Sequence, residues 1–488
     1  MVQKLRPLMF VGTGSDVGKS IIVTGICRIL KQKGYSPAPF KAQNMSLNSY
    51  VTKEGLEIGR AQAVQAEAAG IDCSTYMNPV LLKPSEENKS QIILHGKPIG
   101  DQTAKSYFLG NNKLHLFEEV TKAFDHLAAK YTPIVLEGAG SISELNLKHR
   151  DIVNMQMALY ANASVYLIAD IDRGGVFASV YGSIALLDEE EKKTIKGIII
   201  NKFRGDISLF EEGKKLLEQL TKIPVLGVIP YLKDIYIEEE DSLGLNDKNN
   251  KLLKGKVNIA VLLLPFISNF TDFNRLEKDE RVHLFYTRSR KDVKKADVII
   301  IPGSKNTISD MQFLRNSGLA QEILMAHEQR KKIIGICGGF QMLGIAIYDP
   351  NNVENEIKTI PGLGIIPAET TLASKKITKQ CQFFFKNYKN VCSGYEIHMG
   401  RTDFKEQPPL NFINNTSEGY CKDNCWGTYI HGIFDNSIVV DDLLGEFNIV
   451  APNETFNYQA YKEENYEKLA NHLEKNLDME CIIKNLTL

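Results

Sequence analysis

The stretch GICGGFQMLG, Gly335 to Gly344, follows the apolar run Lys332-Ile333-Ile334. It reads as a buried strand, a sharp turn holding Cys337, and a helix opening at Phe340. Gly335, Gly338 and Gly339 crowd one cysteine, so a strained turn can form and a carbonyl can approach the sulfur closely. At a strand-to-helix elbow the sulfur faces a helix N-terminus, whose free N–H groups and dipole favour an anion. A nucleophilic cysteine needs a base. The segment GTYIHGIFD places His431 between an apolar strand and a glycine turn. A cysteine and a histidine far apart in sequence, each on an elbow, point to thiol acyl chemistry. Gln341, on the first helical turn after the cysteine, is placed to reach the same cavity.

Outward from this elbow the pattern is α/β. VNIAVLLLP, ADVIIIPGS, KIIGICGG, PGLGIIPAE and GTYIHGIF are short apolar runs ending in glycine or polar turns. The first half of the chain repeats the pattern with LMFVGTG, PIVLEGAG, SVYLIADID, GIIINKF and PVLGVIP. Amphipathic segments such as Gly18–Lys33 and Leu209–Lys222 lie between them. Continuous apolar strands alternating with helices predict mainly parallel sheets covered on both faces, with ligands at the strand C-termini. At 488 residues the chain is too long for one core. The spacing predicts a first α/β domain over 1–232, a connection over 233–256, a second α/β domain over 257–445, and a helix-rich appendage over 446–488. The acidic run Glu238-Glu239-Glu240-Asp241 in the connection reads as solvated surface.

FVGTGSDVGKS, Phe10 to Ser20, stands between an apolar strand and a helix. Backbone N–H groups of such a loop cradle phosphates, and Gly12, Thr13, Gly14, Asp16, Val17 and Gly18 supply the loop. Lys19 would neutralise the β- and γ-phosphates, and the Ser20 hydroxyl would reach Mg²⁺. Counting back from Gly18, the usual phosphate-loop glycine belongs at Thr13 but stands at Gly12, so this loop is one residue longer.

Composition removes several classes. The net charge of −1 gives no electrostatic case for nucleic acid or an anionic membrane surface. No apolar run of about eighteen residues exists to span a bilayer, and MVQKLRPLMFVGTG enters a strand without a cleavable signal. The eight cysteines form no dense framework, which fits a reduced, cytoplasmic setting. Cys421 and Cys425 with His431 are too loosely spaced, and lack a second pair, for a zinc site.

The cysteine decade resembles the glutaminase elbow of class I glutamine amidotransferases. That resemblance implies that Cys337 attacks the glutamine amide with His431 as base and then acid. The Gly338 N–H would form part of an oxyanion hole, with a second donor from IIIPGSKNT around Gly303 and Ser304, and Gln341 would line the glutamine site. The usual triad has glutamate two residues after the histidine, and here that position is Ile433. Asp435 and Glu396 are the candidates to orient His431 instead.

The longer phosphate loop resembles the dethiobiotin synthetase-like branch of phosphate-loop enzymes. This resemblance implies ATP and Mg²⁺, with Lys41 of PFKAQN near the phosphates and Glu137 of VLEGAG on the metal. It also places Glu57 of GLEIGRAQ near the family's other metal carboxylate, and Asn201 of IINKF on adenine. Longer segments, among them PFKAQNMSLNSYVTKEGLEIGRAQAVQAEAAG, NPVLLKPSEENKSQIILHGKP, EGAGSISELNLKHRDIVNM, DIDRGGVFAS and GYEIHMGRT, are similar to the cobyric acid synthase family. The family implies ATP- and glutamine-dependent amidation of four carboxylates of adenosylcobyrinic acid a,c-diamide, through acyl phosphates. Gln43, Asn44, Asn48, Ser49, Asn78, Lys83, Asp172 and Arg173 would then face the corrinoid. Cobyrinic acid a,c-diamide synthases share both domain types and are the nearest alternative. A degenerate ATP-binding regulator is the other, favoured only by Ile433.

Overall fold

The run Leu8–Gly12 is buried at all five positions, which a strand sustains when both its faces are covered. In the computed structural model, which describes residues 4–86, 89–103, 112–238, 252–406, 408–449 and 456–487, it sits inside a six-stranded sheet. Ser164–Asp170 pairs on one side and Ile134–Glu137 on the other, both parallel. Ile195–Phe203 and Val225–Pro230 continue the first side, and Ala38–Phe40 the second. Strand order therefore reverses beside Leu8–Gly12, which opens a crevice at the strand C-termini. The two expected amphipathic segments form helices at Lys19–Gln32 and Glu211–Thr221.

A second sheet is built from Val282–Thr287, Val257–Leu262, Val298–Ile301, Lys332–Ile336 and Cys425–Thr428, all parallel. The edge strand Tyr420–Lys422 turns back antiparallel. The pattern did not reveal the long hairpin of Ala368–Phe385 against Val391–Phe404. Nor is PGLGIIPAE a continuous strand. After Pro361 the chain leaves the sheet, and the N–H groups of Leu363, Ile365 and Ile366 donate to Met342 O and Leu343 O, at 2.8, 3.0 and 3.1 Å. The helix after Cys337 runs only from Gly338 to Leu343, and this loop satisfies carbonyls at its C-terminal end.

The helix Tyr458–Asn476 packs on Lys19–Gln32. Its Leu469, Ala470 and Leu473 join a core containing Leu8, Phe10, Ile22 and Ile26. Arg28 holds Glu463 and Glu467 of the same helix at 2.7 and 2.5 Å. The last helices thus close the first α/β unit rather than the second.

Residues 239–251 of the expected connection, with most of its acidic run, lie outside the described residues. Glu238 is not solvated surface. It is buried, pairs with Arg60 at 2.7 Å, and accepts from the Tyr458 hydroxyl at 3.0 Å. A buried guanidinium needs a carboxylate more than the surface does.

Candidate active site

Cys337 lies at the end of Lys332–Ile336 with φ 52° and ψ −107°, a strained backbone for a side chain with a β-carbon. Its N–H donates to Thr428 O at 2.8 Å, which ties the elbow to the neighbouring strand. A β-carbon at Gly339 would collide with the Ile301 carbonyl, so the glycine lets the elbow press against that strand. The helix opens at Gly338, two residues before the expected Phe340. The sulfur lies 3.5 Å from Ile397 O, at the edge of the long hairpin.

His431 ends the short strand Ile430–His431, and Gly432 follows with φ 69°. The group that orients the imidazole is Asp272, which the sequence reading missed. Asp272 Oδ2 lies 2.7 Å from His431 Nδ1, and Oδ1 accepts from the Gly432 N–H at 2.9 Å. Both side chains are buried. Burial works against a charged imidazole, but the adjoining Asp272 charge, with the Cys337 sulfur, raises the His431 pKa to about 10. The earlier candidates are placed elsewhere. Glu396 holds His398 at 3.2 Å and Lys379 at 3.1 Å. Asp435 lies in the turn Ile433–Asp435, and burial pushes its carboxyl up to about 7. Asp272 stands in FTDF, far upstream of His431, where no local spacing links the two.

Gly303 and Ser304 come to the same place. A β-carbon on Gly303 would lie 3.4 Å from His431 Cε1, and one on Gly338 would lie 2.9 Å from Ser304 N. The Ser304 hydroxyl donates to Asp310 at 2.6 Å, fixing that loop. Gln341 is tied into the wall: its Oε1 accepts from Thr307 Oγ1 at 3.1 Å, and its Nε2 donates to the Tyr429 hydroxyl at 3.3 Å.

The phosphate loop occupies the crevice of the first sheet. Lys19 Nζ donates to Gly14 O and Gly140 O at 2.9 and 3.0 Å. Ser20 Oγ donates to Glu137 Oε1 at 2.7 Å, Lys41 pairs with the same oxygen at 2.9 Å, and Gln65 donates to the other at 2.6 Å. Burial acts to raise the Glu137 pKa, but Lys41 and these hydrogen bonds outweigh it and hold the carboxyl below its ordinary range. Asn201 acts on the loop itself, donating to Val17 O at 2.8 Å under the left-handed Gly18. That bond commits one of its amide N–H groups to the loop backbone. Asp16 receives Lys202 Nζ on its carbonyl at 2.5 Å and Arg173 on its carboxylate at 3.4 Å.

A cleft of about 1250 Å³ opens beside this loop and is lined by Lys19, Ser20, Lys41, Glu137, Gln43, Asn44 and Arg173, among others. Glu57 is not among its lining residues and does not sit beside Ser20. It is buried where the two α/β units meet, between Lys83 at 2.8 Å and Lys376 of the long hairpin. Two ammonium groups saturate this carboxylate, so it does not fit a metal position. Lys83 is spent on Glu57 and on Ser49 Oγ at 2.9 Å, so it offers no free charge to a substrate carboxylate. Asn78 is a brace, donating to Lys41 O and Val80 O at 3.1 and 2.9 Å and accepting from Gly59 N at 3.2 Å. Asn48 and Ser49 are wholly buried. Asp172 pairs with Arg204 at 2.8 Å. Of the expected substrate residues, Gln43, Asn44 and Arg173 line the cleft.

These two sites correspond to two known domain families. A CobQ/CobB/MinD/ParA nucleotide binding domain matches residues 8–244, and a CobB/CobQ-like glutamine amidotransferase domain matches residues 258–439. A cobyric acid synthase of Bacteroides fragilis is 56% identical over 492 residues, covering 100% of this chain and 99% of that protein. The corresponding synthase of Parabacteroides distasonis is 56% identical with both chains covered completely. That of Caldanaerobacter subterraneus is 46% identical with 97% of each chain covered. With a nucleotide-binding unit, a glutamine amidotransferase unit and full-length similarity of this degree, the chain belongs to the cobyric acid synthase family and is a glutamine-dependent amide ligase of cobalamin biosynthesis.

Proposed function

We propose that this enzyme amidates four peripheral carboxylates of adenosylcobyrinic acid a,c-diamide, giving adenosylcobyric acid, with one ATP and one glutamine consumed per amide. The observation that carries the reading is the Cys337–His431–Asp272 alignment in the same chain as a phosphate loop with the Ser20–Glu137 pair. In the glutaminase half, the Cys337 thiolate attacks the glutamine side-chain carbonyl. The oxyanion forms against the backbone around Gly338 and Ser304. His431 gives its proton to the leaving nitrogen, and ammonia departs. Water, deprotonated by His431, then cleaves the thioester to glutamate. Asp272 holds the imidazole in one tautomer through both steps.

In the synthase half, a substrate carboxylate oxygen attacks the γ-phosphorus and the bond to ADP breaks. Lys19 and the loop N–H groups take up the developing charge. Ammonia attacks the acyl carbon, and phosphate leaves with the carboxylate oxygen. The Ser20 hydroxyl and the Glu137 carboxylate are adjacent hard oxygen donors and fit Mg²⁺. Magnesium there would neutralise charge on the phosphates. At neutral pH free ammonia is mostly ammonium, which is not nucleophilic, so joining both halves in one chain has a chemical reason. Incubation with ATP, glutamine and the a,c-diamide, followed by mass spectrometry, tests the reading. Four successive exchanges of OH for NH₂ are expected. Glutamine hydrolysis with no change in the a,c-diamide would move the substrate elsewhere, first to cobyrinic acid.

A further inference from the structure

Tyr395 takes no part in bond making, yet it touches both halves of the enzyme. It lies directly across from His431 in the antiparallel pairing of Val391–Phe404 with Ile430–His431. Its ring stacks on the imidazole, with centroids 5.4 Å apart and planes at 22°. The same ring meets Tyr50 edge-on at 5.0 Å and packs with Val51. Tyr50 and Val51 belong to the hairpin Ser49–Val51/Glu57–Gly59 of the nucleotide-binding unit. The Tyr395 hydroxyl lies 3.3 Å from Ser49 O and accepts from Asn269 Nδ2 at 3.1 Å. Asn269 Nδ2 also donates to Ser49 O at 3.1 Å. Asn269, in the left-handed conformation, caps the turn Phe270–Phe273 that carries Asp272. One carbonyl of the nucleotide-binding unit therefore anchors both the residue stacked on the imidazole and the turn that presents its carboxylate.

We propose that Tyr395 is a positioning residue for the glutaminase reaction, held by Ser49–Val51 of the other unit, so that the synthase half completes the geometry of His431. The inference rests on the function proposed above for the identity of the two reactions. A stacked ring fixes the plane in which the imidazole presents Nε2 to sulfur and leaving group. Small misplacement of such a group costs rate and not substrate binding. The segment that anchors the ring begins just beyond Gln43, Asn44 and Met45, which line the cleft.

Steady-state glutaminase kinetics on the full chain, with ammonia-dependent amidation as the reference reaction, decide the matter. Tyr395→Leu should lower glutaminase kcat on the order of 10²-fold with little change in glutamine KM. Tyr395→Phe, which keeps the stacked ring, should recover most of it. Val51→Ala, a change wholly within the nucleotide-binding unit, should lower glutaminase kcat by roughly three- to tenfold. Ammonia-dependent amidation should be unchanged in all three. Unaltered glutaminase kcat in Val51→Ala and Tyr395→Leu overturns the proposal. So does an equal loss of both reactions, which would mark these residues as supports of the fold alone. Should Tyr395→Leu fail to fold, Val51→Ala alone decides between these outcomes. If wild type makes no amide from ammonia on the corrinoid, the proposed function fails, while the glutaminase comparison, with thermal unfolding as its control, still decides the role of Tyr395.

Discussion

Asp272 and Glu57 are both buried carboxylates beside cationic partners, and their environments give them different work. Asp272 faces one imidazole and a backbone N–H. Asp272→Asn keeps the shape but removes the charge, so glutaminase kcat should fall on the order of 10²–10⁴-fold, with ammonia-dependent amidation retained. The same pair has a pH signature. The His431 pKa is raised to about 10 in the folded protein, above about 6.5 for a free histidine. Its contribution to stability is therefore fully present below the lower value and lost as pH rises through the higher one. Thermal unfolding across that window should show wild type losing stability and Asp272→Asn losing less. Glu57 is the opposite case. Burial acts to raise its pKa, but Lys376 and Lys83 outweigh that and hold it well below the usual carboxylate range. Its contribution is present above about 4.3 and is lost as pH falls through the depressed folded value. Glu57→Gln leaves two buried ammonium groups without their counter-charge, and should cost about 3–5 kcal/mol in denaturant unfolding at neutral pH.

At the scale of elements, the C-terminal helix makes the sharpest prediction. Gly227, on Val225–Pro230, faces the end of that helix, and a β-carbon there would collide with the Asn476 carbonyl oxygen. Backbone cannot swing aside as a side chain does, so Gly227→Ala should destabilise the protein by about 1–3 kcal/mol, read from the midpoint of urea unfolding. What the sequence disclosed follows the same division between local and distant causes. Both central strands and both elbows were legible, because glycine, a reactive side chain and an apolar run stand within a few residues of each other. The helical character of the tail was legible too, but not its partner, because a helix pattern records that a face is buried and not against what. Asp272, Lys376 and the Asn201–Val17 bond escaped for one reason: each works on a residue far along the chain, and no spacing rule links them. The expectation of Glu57 on a metal failed similarly, since Lys376, one of the two lysines that saturate it, arrives from the other unit.

Across the whole molecule, two reaction sites on separate sheets should be separable by mutation. Cys337→Ala should abolish amide formation from glutamine and leave amide formation from ammonium salts at high pH, measured by mass spectrometry of the corrinoid product. Loss of both would mean that the sites are not independent. The packing of Tyr458–Asn476 against Lys19–Gln32 has a different kind of consequence. The apolar face containing Ile22 and Ile26 is covered by Leu469 and Leu473, which leave the ribosome almost a full chain length later. At roughly 5–20 residues per second, that face waits on the order of half a minute before its cover is made. During translation the first unit is thus a ready client for a chaperone, and a ribosome that stalls late in the message would release a protein with both reaction sites encoded and its first core still open.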